Sequence, residues 1–169
     1  MERQFTRQAE NALKLATTIA KSCGHGYIGT EHLLAGLLKE PEGTAGKVLQ
    51  EFNVEEEKLR ELISSLVTPV QGNTAAAETK DPQYSPRARR IIEQAKEDAE
   101  SMECLCGTEH LLLSLLKETD CVATRLLFTM GVNIQKLFVA ILTAMGFDND
   151  TIAAVSYTHL RAHETCADL

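Results

Sequence analysis

Two Glu-His pairs are the residues of this sequence best suited to chemistry. Glu31-His32 and Glu109-His110 each set a carboxylate beside an imidazole, groups that serve general acid–base catalysis. Neither pair is accompanied by a nucleophile or a metal-ligand set, so a small helical enzyme is the weakest reading. The chain has no G-x-x-x-x-G-K-[ST] loop, no G-x-S-x-G elbow, no H-E-x-x-H and no Gly-rich dinucleotide fingerprint. No catalytic residue, metal or cofactor is therefore expected, and a binding role is. Two hydroxyls, Thr6 and Ser85, stand at the starts of other helical patterns and have the chemistry of helix caps.

Cysteine offers little more. There are five, Cys23, Cys104, Cys106, Cys121 and Cys166, an odd number with one C-x-C and no C-x-x-C. In a reducing compartment such cysteines behave as small hydrophobes. His159, His163 and Cys166 do have metal-ligand spacing, H-x3-H-x2-C. They lie in a terminal segment, 155–169, whose composition is foreign to the rest. That segment looks like the translation of a sequencing-adapter oligonucleotide, so a non-native tail is expected there and the metal reading is set aside. The natural protein is then expected to continue beyond residue 154.

The elements that position the Glu-His pairs come from a repeat. Gly29-Thr30-Glu31-His32-Leu33-Leu34 recurs as Gly107-Thr108-Glu109-His110-Leu111-Leu112, a shift of 78 residues. The same shift carries Leu37, Ala45, Leu49, Val54, Leu59 and Ile63 onto Leu115, Ala123, Leu127, Val132, Leu137 and Ile141. Upstream the shift is 79, and Phe5-Thr6 falls on Tyr84-Ser85.

Apolar residues recur at helical spacing in both copies. Phe5, Ala9, Ala12, Leu13, Ala16, Ile19 and Ala20 form one face, and Tyr84, Ala88, Ile91, Ile92, Ala95 and Ala99 its counterpart. The pattern predicts eight helices, near 5–22, 30–40, 44–52, 55–67, 85–102, 108–118, 120–130 and 133–145, and no sheet. Thr6, Ser85, Thr30 and Thr108 are the expected caps, with Pro86 at a first helical position. The fold class is all-α: two tandem four-helix repeats, 5–66 and 84–145, packed with pseudo-twofold symmetry. The polar, Pro- and Gly-containing stretch 67–83 reads as a linker, within a domain spanning 1–154.

Composition excludes several classes. The net charge is −7, unfavourable for sequence-independent nucleic-acid binding and for an anionic membrane surface. No run of about 18 apolar residues is present, so no membrane span is expected. The N-terminus enters a polar helix and not a signal-peptide core, which points to the cytoplasm.

The paired Gly-Thr-Glu-His-Leu-Leu motifs, each preceded by a helix start with an F/Y-T/S-x-x-A pattern, resemble the N-terminal domain of ClpC-type Hsp100 unfoldases over residues 3 to 146. The resemblance implies a non-catalytic domain that recruits protein substrates and adaptor proteins. It implies a monomer in isolation and a hexamer for the full-length protein, whose ATPase modules lie elsewhere. A stand-alone subunit docking on a Clp protease is the alternative.

The resemblance further implies a ligand, phosphoarginine on marked proteins, with Thr6, Glu31, Ser85 and Glu109 as ligand-binding residues. A guanidinium fork suits a carboxylate, and a phosphate suits the free N–H groups of a helix start. One pocket in each repeat is expected, with Glu31 and Glu109 partly exposed, each near the Thr6 or Ser85 hydroxyl of its own repeat. A plainer reading is that both glutamates merely complement helix dipoles, worth about 0.3–1 kcal/mol.

Overall fold

The computed structural model of the chain describes residues 4–23, 26–66, 82–118, 121–147 and Asp150. Among them are eight helices: α1 Arg7–Ser22, α2 Thr30–Lys39, α3 Thr44–Glu51, α4 Glu56–Leu66, α5 Pro86–Ser101, α6 Thr108–Lys117, α7 Val122–Thr129 and α8 Ile134–Ala144. Lengths repeat in order: α1 and α5 have 16 residues, α2 and α6 have 10, α3 and α7 have 8, and α4 and α8 have 11. The two four-helix units pack as a pseudo-twofold pair. The terminal segment 155–169 and most of the expected linker, 67–81, lie outside the described residues.

Helix starts follow local chemistry. Thr6 accepts from the Ala9 N–H at 3.1 Å and Ser85 from the Ala88 N–H at 3.2 Å, while Asn133 accepts from the Lys136 N–H at 3.1 Å. Pro86 opens α5, where its missing N–H leaves no bond unmade.

The core is shared between the units. Leu34, Leu49, Leu59 and Ile63 are fully buried, as are Leu112, Leu127, Leu137 and Ile141. Helices α2 and α6 are central. From Thr30 through Leu38 every residue of α2 is buried, because α1, α3, α4, α6 and α7 surround it. Gly36 is required by this crowding: a Cβ there would collide with the Ala12 carbonyl of α1. In the other repeat the same place is held by Ser114, whose hydroxyl donates to the corresponding carbonyl, that of Ile91, at 2.7 Å.

The two units also cap each other. Gly43 and Cys121 cap α3 and α7 without a side-chain bond of their own. The missing acceptors come from the opposite repeat. Thr108 Oγ1 accepts from the Ala45 N–H at 3.3 Å, and Thr30 Oγ1 accepts from the Ala123 N–H at 3.2 Å, both buried. This corrects the expected caps of the Gly-Thr-Glu-His helices. The cap residues of α2 and α6 are Gly29 and Gly107, so the threonines occupy the first helical position and are free to reach across.

The expectation of no sheet also needs correction. Tyr27–Ile28, strand β1, pairs in parallel with Gln83–Tyr84, strand β2, and Phe5 makes a single parallel bridge with Cys106. Gln83 thus belongs to this short pairing and not to a linker. Both contacts join the start of a first helix to the other repeat, which a sequence repeat cannot indicate.

Three substitutions check this packing. Leu34→Ala should cost about 2–5 kcal/mol in urea titration, from lost contacts and a residual cavity. Thr108→Val should cost about 0.5–2 kcal/mol by leaving the Ala45 N–H without its acceptor. Thr18→Val should be nearly neutral, because the Thr18 hydroxyl bonds the Lys14 carbonyl on the exposed face.

Candidate functional site

The candidate sites lie where the Gly-Thr-Glu-His helices begin. At each, the imidazole folds back on the cap. Gly29 N–H donates to His32 Nδ1 at 2.9 Å, and Gly107 N–H donates to His110 Nδ1 at 2.9 Å. An amide can only donate, so Nδ1 is unprotonated in both rings and the proton sits on Nε2. The imidazoles therefore act as the third-residue partners of a capping box. The Glu31 carboxylate approaches His32 Nδ1 to 3.5 Å, and Glu109 approaches His110 Nδ1 to 3.7 Å. Neither is an ion pair, because the lone pair at Nδ1 already accepts the cap amide. Acid–base use of these pairs finds no support in that arrangement.

The carboxylates curl over their cap residues. A Cβ at Gly29 would lie 2.7 Å from Glu31 Cδ, and one at Gly107 would lie 2.8 Å from Glu109 Cδ. Both glycines have extended backbone, φ −93° and −97°, which any residue adopts. Room for the carboxylate, and not backbone freedom, is what glycine supplies here.

Thr6 and Ser85 are brought to these helix starts, but across the repeats. Thr6 N–H donates to Cys106 O at 3.0 Å and Cys106 N–H donates to Gln4 O at 2.9 Å. That sets the start of α1 against the Cys106-Gly107-Thr108-Glu109 turn. Ser85 N–H donates to Ile28 O at 2.9 Å, setting the start of α5 against Ile28-Gly29-Thr30-Glu31. The expectation of one site within each repeat is therefore corrected: Thr6 is grouped with Glu109, and Ser85 with Glu31. The reason is topological, since the parallel pairings run between units.

A second correction concerns exposure. The side chain of Glu109 is 26% exposed, but that of Glu31 is only 2% exposed. Tyr27, missed in the sequence, lies against the latter carboxylate. Its hydroxyl bonds the Glu31 carboxylate, and burial followed by that negative charge raises its pKa. Its ring stands edge-on to His32, with centroids 5.8 Å apart. The signal was available, because the 78-residue shift places Leu105, which cannot hydrogen-bond, at the equivalent position.

Cysteine surrounds the second site. His110 Nε2 lies 3.6 Å from Cys104 Sγ. Burial, aided by the Glu109 charge, pushes the Cys106 thiol up to about 12, so it is inert as a nucleophile at neutral pH. Among the described residues, no group of three or more His, Cys, Asp or Glu could hold a metal ion.

With this geometry in place, comparison with known proteins is direct. The family model of the Clp repeat (R) N-terminal domain matches residues 4–104. The ATP-binding subunit ClpC of the Clp protease from Staphylococcus aureus (strain USA300) is 38% identical over 144 residues, covering 85% of this chain and 17% of that protein. The negative regulator of genetic competence ClpC/MecB from Bacillus subtilis (strain 168) is 35% identical over 166 residues, covering 98% of this chain and 20% of its own. Among solved structures, the N-terminal domain of the chaperone ClpD from Arabidopsis thaliana aligns with a TM-score of 0.70 and 29% identity, over 84% of this chain and 97% of that one. The N-domain of ClpV in complex with a VipB peptide shares the fold, with a TM-score of 0.61 and 22% identity over 83% of this chain and 88% of that one.

The chain belongs to the Clp N-terminal repeat-domain family. It is homologous to the N-terminal region of ClpC, and it spans about a fifth of the length of the curated relatives it matches. Among the described residues, no single helix is long and apolar enough to cross a membrane.

The His110 cap gives the site a pH dependence. Burial holds His110 below the usual imidazole value of 6.5, with the Glu109 and Asp98 carboxylates partly opposing that shift. As pH falls, the unfolded chain takes up this proton first. The stability contributed by neutral His110 is complete above the unfolded pKa and is lost as pH falls from there through the folded value. The urea midpoint should drop between about pH 7 and pH 5. His110→Asn keeps a neutral acceptor for Gly107 N–H and should flatten that drop.

Proposed function

We propose that this chain is the substrate- and adaptor-recognition domain of a ClpC-type ATP-dependent unfoldase, and that it binds proteins marked with phosphoarginine. The observation that carries the reading is the pairing of the α1 start with the Glu109 turn. A phosphorylated guanidinium has an N–H fork at one end and an anion at the other. Glu109 is a partly exposed carboxylate able to accept from the fork. The neighbouring start of α1, at Thr6 and Arg7, offers the positive end of a helix dipole and an exposed guanidinium to the phosphate. Family membership supports the recruiting role.

Adaptor docking has a separate support. Phe128 is 77% exposed on α7, which leaves a large apolar side chain open to a partner. Nearby, a cleft of about 540 Å³ is lined by Lys58, Glu61, Leu62, Ser65, Thr129 and Met130, from α4 and the end of α7. Aromatic and methionine side chains are enriched at protein-binding surfaces. A fold relative, the N-domain of ClpV, has been solved with a VipB peptide.

Calorimetric titration with free phosphoarginine tests the ligand. The domain should bind it, and Glu109→Ala should weaken binding by about 10- to 100-fold through loss of a charge-assisted contact. The melting temperature should stay within a few degrees, because a partly exposed first-turn glutamate contributes little to folding. No binding by the unmodified domain, or equal binding by the variant, would remove the assignment.

A further inference from the structure

The two helix-start sites are equal in sequence motif and unequal in structure. Each has the Gly-Thr-Glu-His turn, a histidine folded on the cap and a hydroxyl-capped helix from the other repeat alongside. Their carboxylates differ greatly in access, at 2% exposed for Glu31 and 26% for Glu109. Four residues before each carboxylate the repeats diverge, to Tyr27 in one and Leu105 in the other. Tyr27 is half-buried and bonded to Glu31, whereas Leu105 is 41% exposed and has nothing to donate.

We propose that Tyr27 is a gate that occupies the Glu31 site, so that the domain has one open ligand site, at Glu109, and one closed site. The inference rests on the phosphoarginine reading above. Tyr27 is a specificity-determining residue: its O–H takes the place on the Glu31 carboxylate that one N–H of a guanidinium fork would take. A ligand entering this site must displace a neutral donor already seated there, with its ring packed against His32. At Glu109 the equivalent position is Leu105, and the hydroxyl on the carboxylate is a long 3.4 Å contact from Thr108 of the same turn, with no ring to displace. Two further features point the same way. The β1–β2 pairing covers the Glu31 turn over two residues, where the Glu109 turn has a single bridge. Pro86 gives the α5 start one amide fewer than the α1 start, so a phosphate finds a poorer seat beside Glu31.

Titration of free phosphoarginine into the full chain separates the possibilities. The unmodified protein should bind one equivalent strongly, and Glu109→Ala should weaken that binding about 10- to 100-fold. Adding Tyr27→Leu to Glu109→Ala should restore binding by at least about tenfold, and a third change, Glu31→Gln, should abolish it again. Tyr27→Phe in the Glu109→Ala background keeps the ring and loses only the bond, so it carries the test if the leucine variant folds poorly by thermal unfolding. In the converse experiment, Leu105→Tyr should weaken the open site. Two equal sites in the unmodified protein would overturn the gate. So would the absence of restored binding in folded variants of both kinds. No binding by the unmodified protein would instead overturn the phosphoarginine reading on which the gate rests.

Discussion

Two buried threonine hydroxyls hold the halves of this domain in register. Thr30 and Thr108 each accept an amide from the first turn of a helix in the other repeat, at 3.2 and 3.3 Å. Helices α3 and α7 have no side-chain acceptor at their own caps, so each repeat lacks a group that its partner holds. A buried amide without an acceptor costs on the order of 1–3 kcal/mol, a large share of the stability of units this small. The bonds are also directional. They fix how α2 meets α7 and how α6 meets α3, around which the leucine core closes.

That geometry makes the sites composite. The caps place the two central helices side by side, and the short parallel pairings then bring each first-helix start to the other repeat's Gly-Thr-Glu-His turn. Glu109 meets the start of α1, and Glu31 the start of α5. Each candidate site is therefore not a property of a repeat but of the contact between repeats. The cleft between α4 and the end of α7 shares this character, since α4 belongs to one unit and α7 to the other.

Much of this was legible in the sequence, for definite reasons. Apolar spacing located all eight helices, because Leu34, Leu49, Leu59 and their counterparts must be buried whatever the surroundings. Thr6 and Ser85 were readable as caps because capping is local. The crossing of the sites was not readable, since two equal motifs carry no information about which neighbours which. Burial of Glu31 was hidden because a carboxylate usually signals the surface, and here a tyrosine and a turn of backbone cover it. Thr30 and Thr108 misled for the opposite reason: a good cap residue next to a helix was assigned to the nearer helix, while its hydroxyl serves a helix 15 positions further on in the other copy. The role of the glycines before them was not readable either, since only side-chain packing shows that they make room for a carboxylate.

The reciprocal threonine bonds have the form of an isologous interface, in which residue i meets j and j meets i, as in a homodimer of one unit. Joined on one chain, the halves meet at an effective concentration set by their connection and not by the protein's abundance. Linkage also frees them to differ. In a homodimer a substitution appears twice, so a tyrosine that closed one carboxylate would close both. On a fused chain, Tyr27 and Leu105 can coexist, and Gly36 can be answered by Ser114 at the same close crossing. Symmetry builds this domain, and covalent continuity is what permits that symmetry to be broken one side at a time.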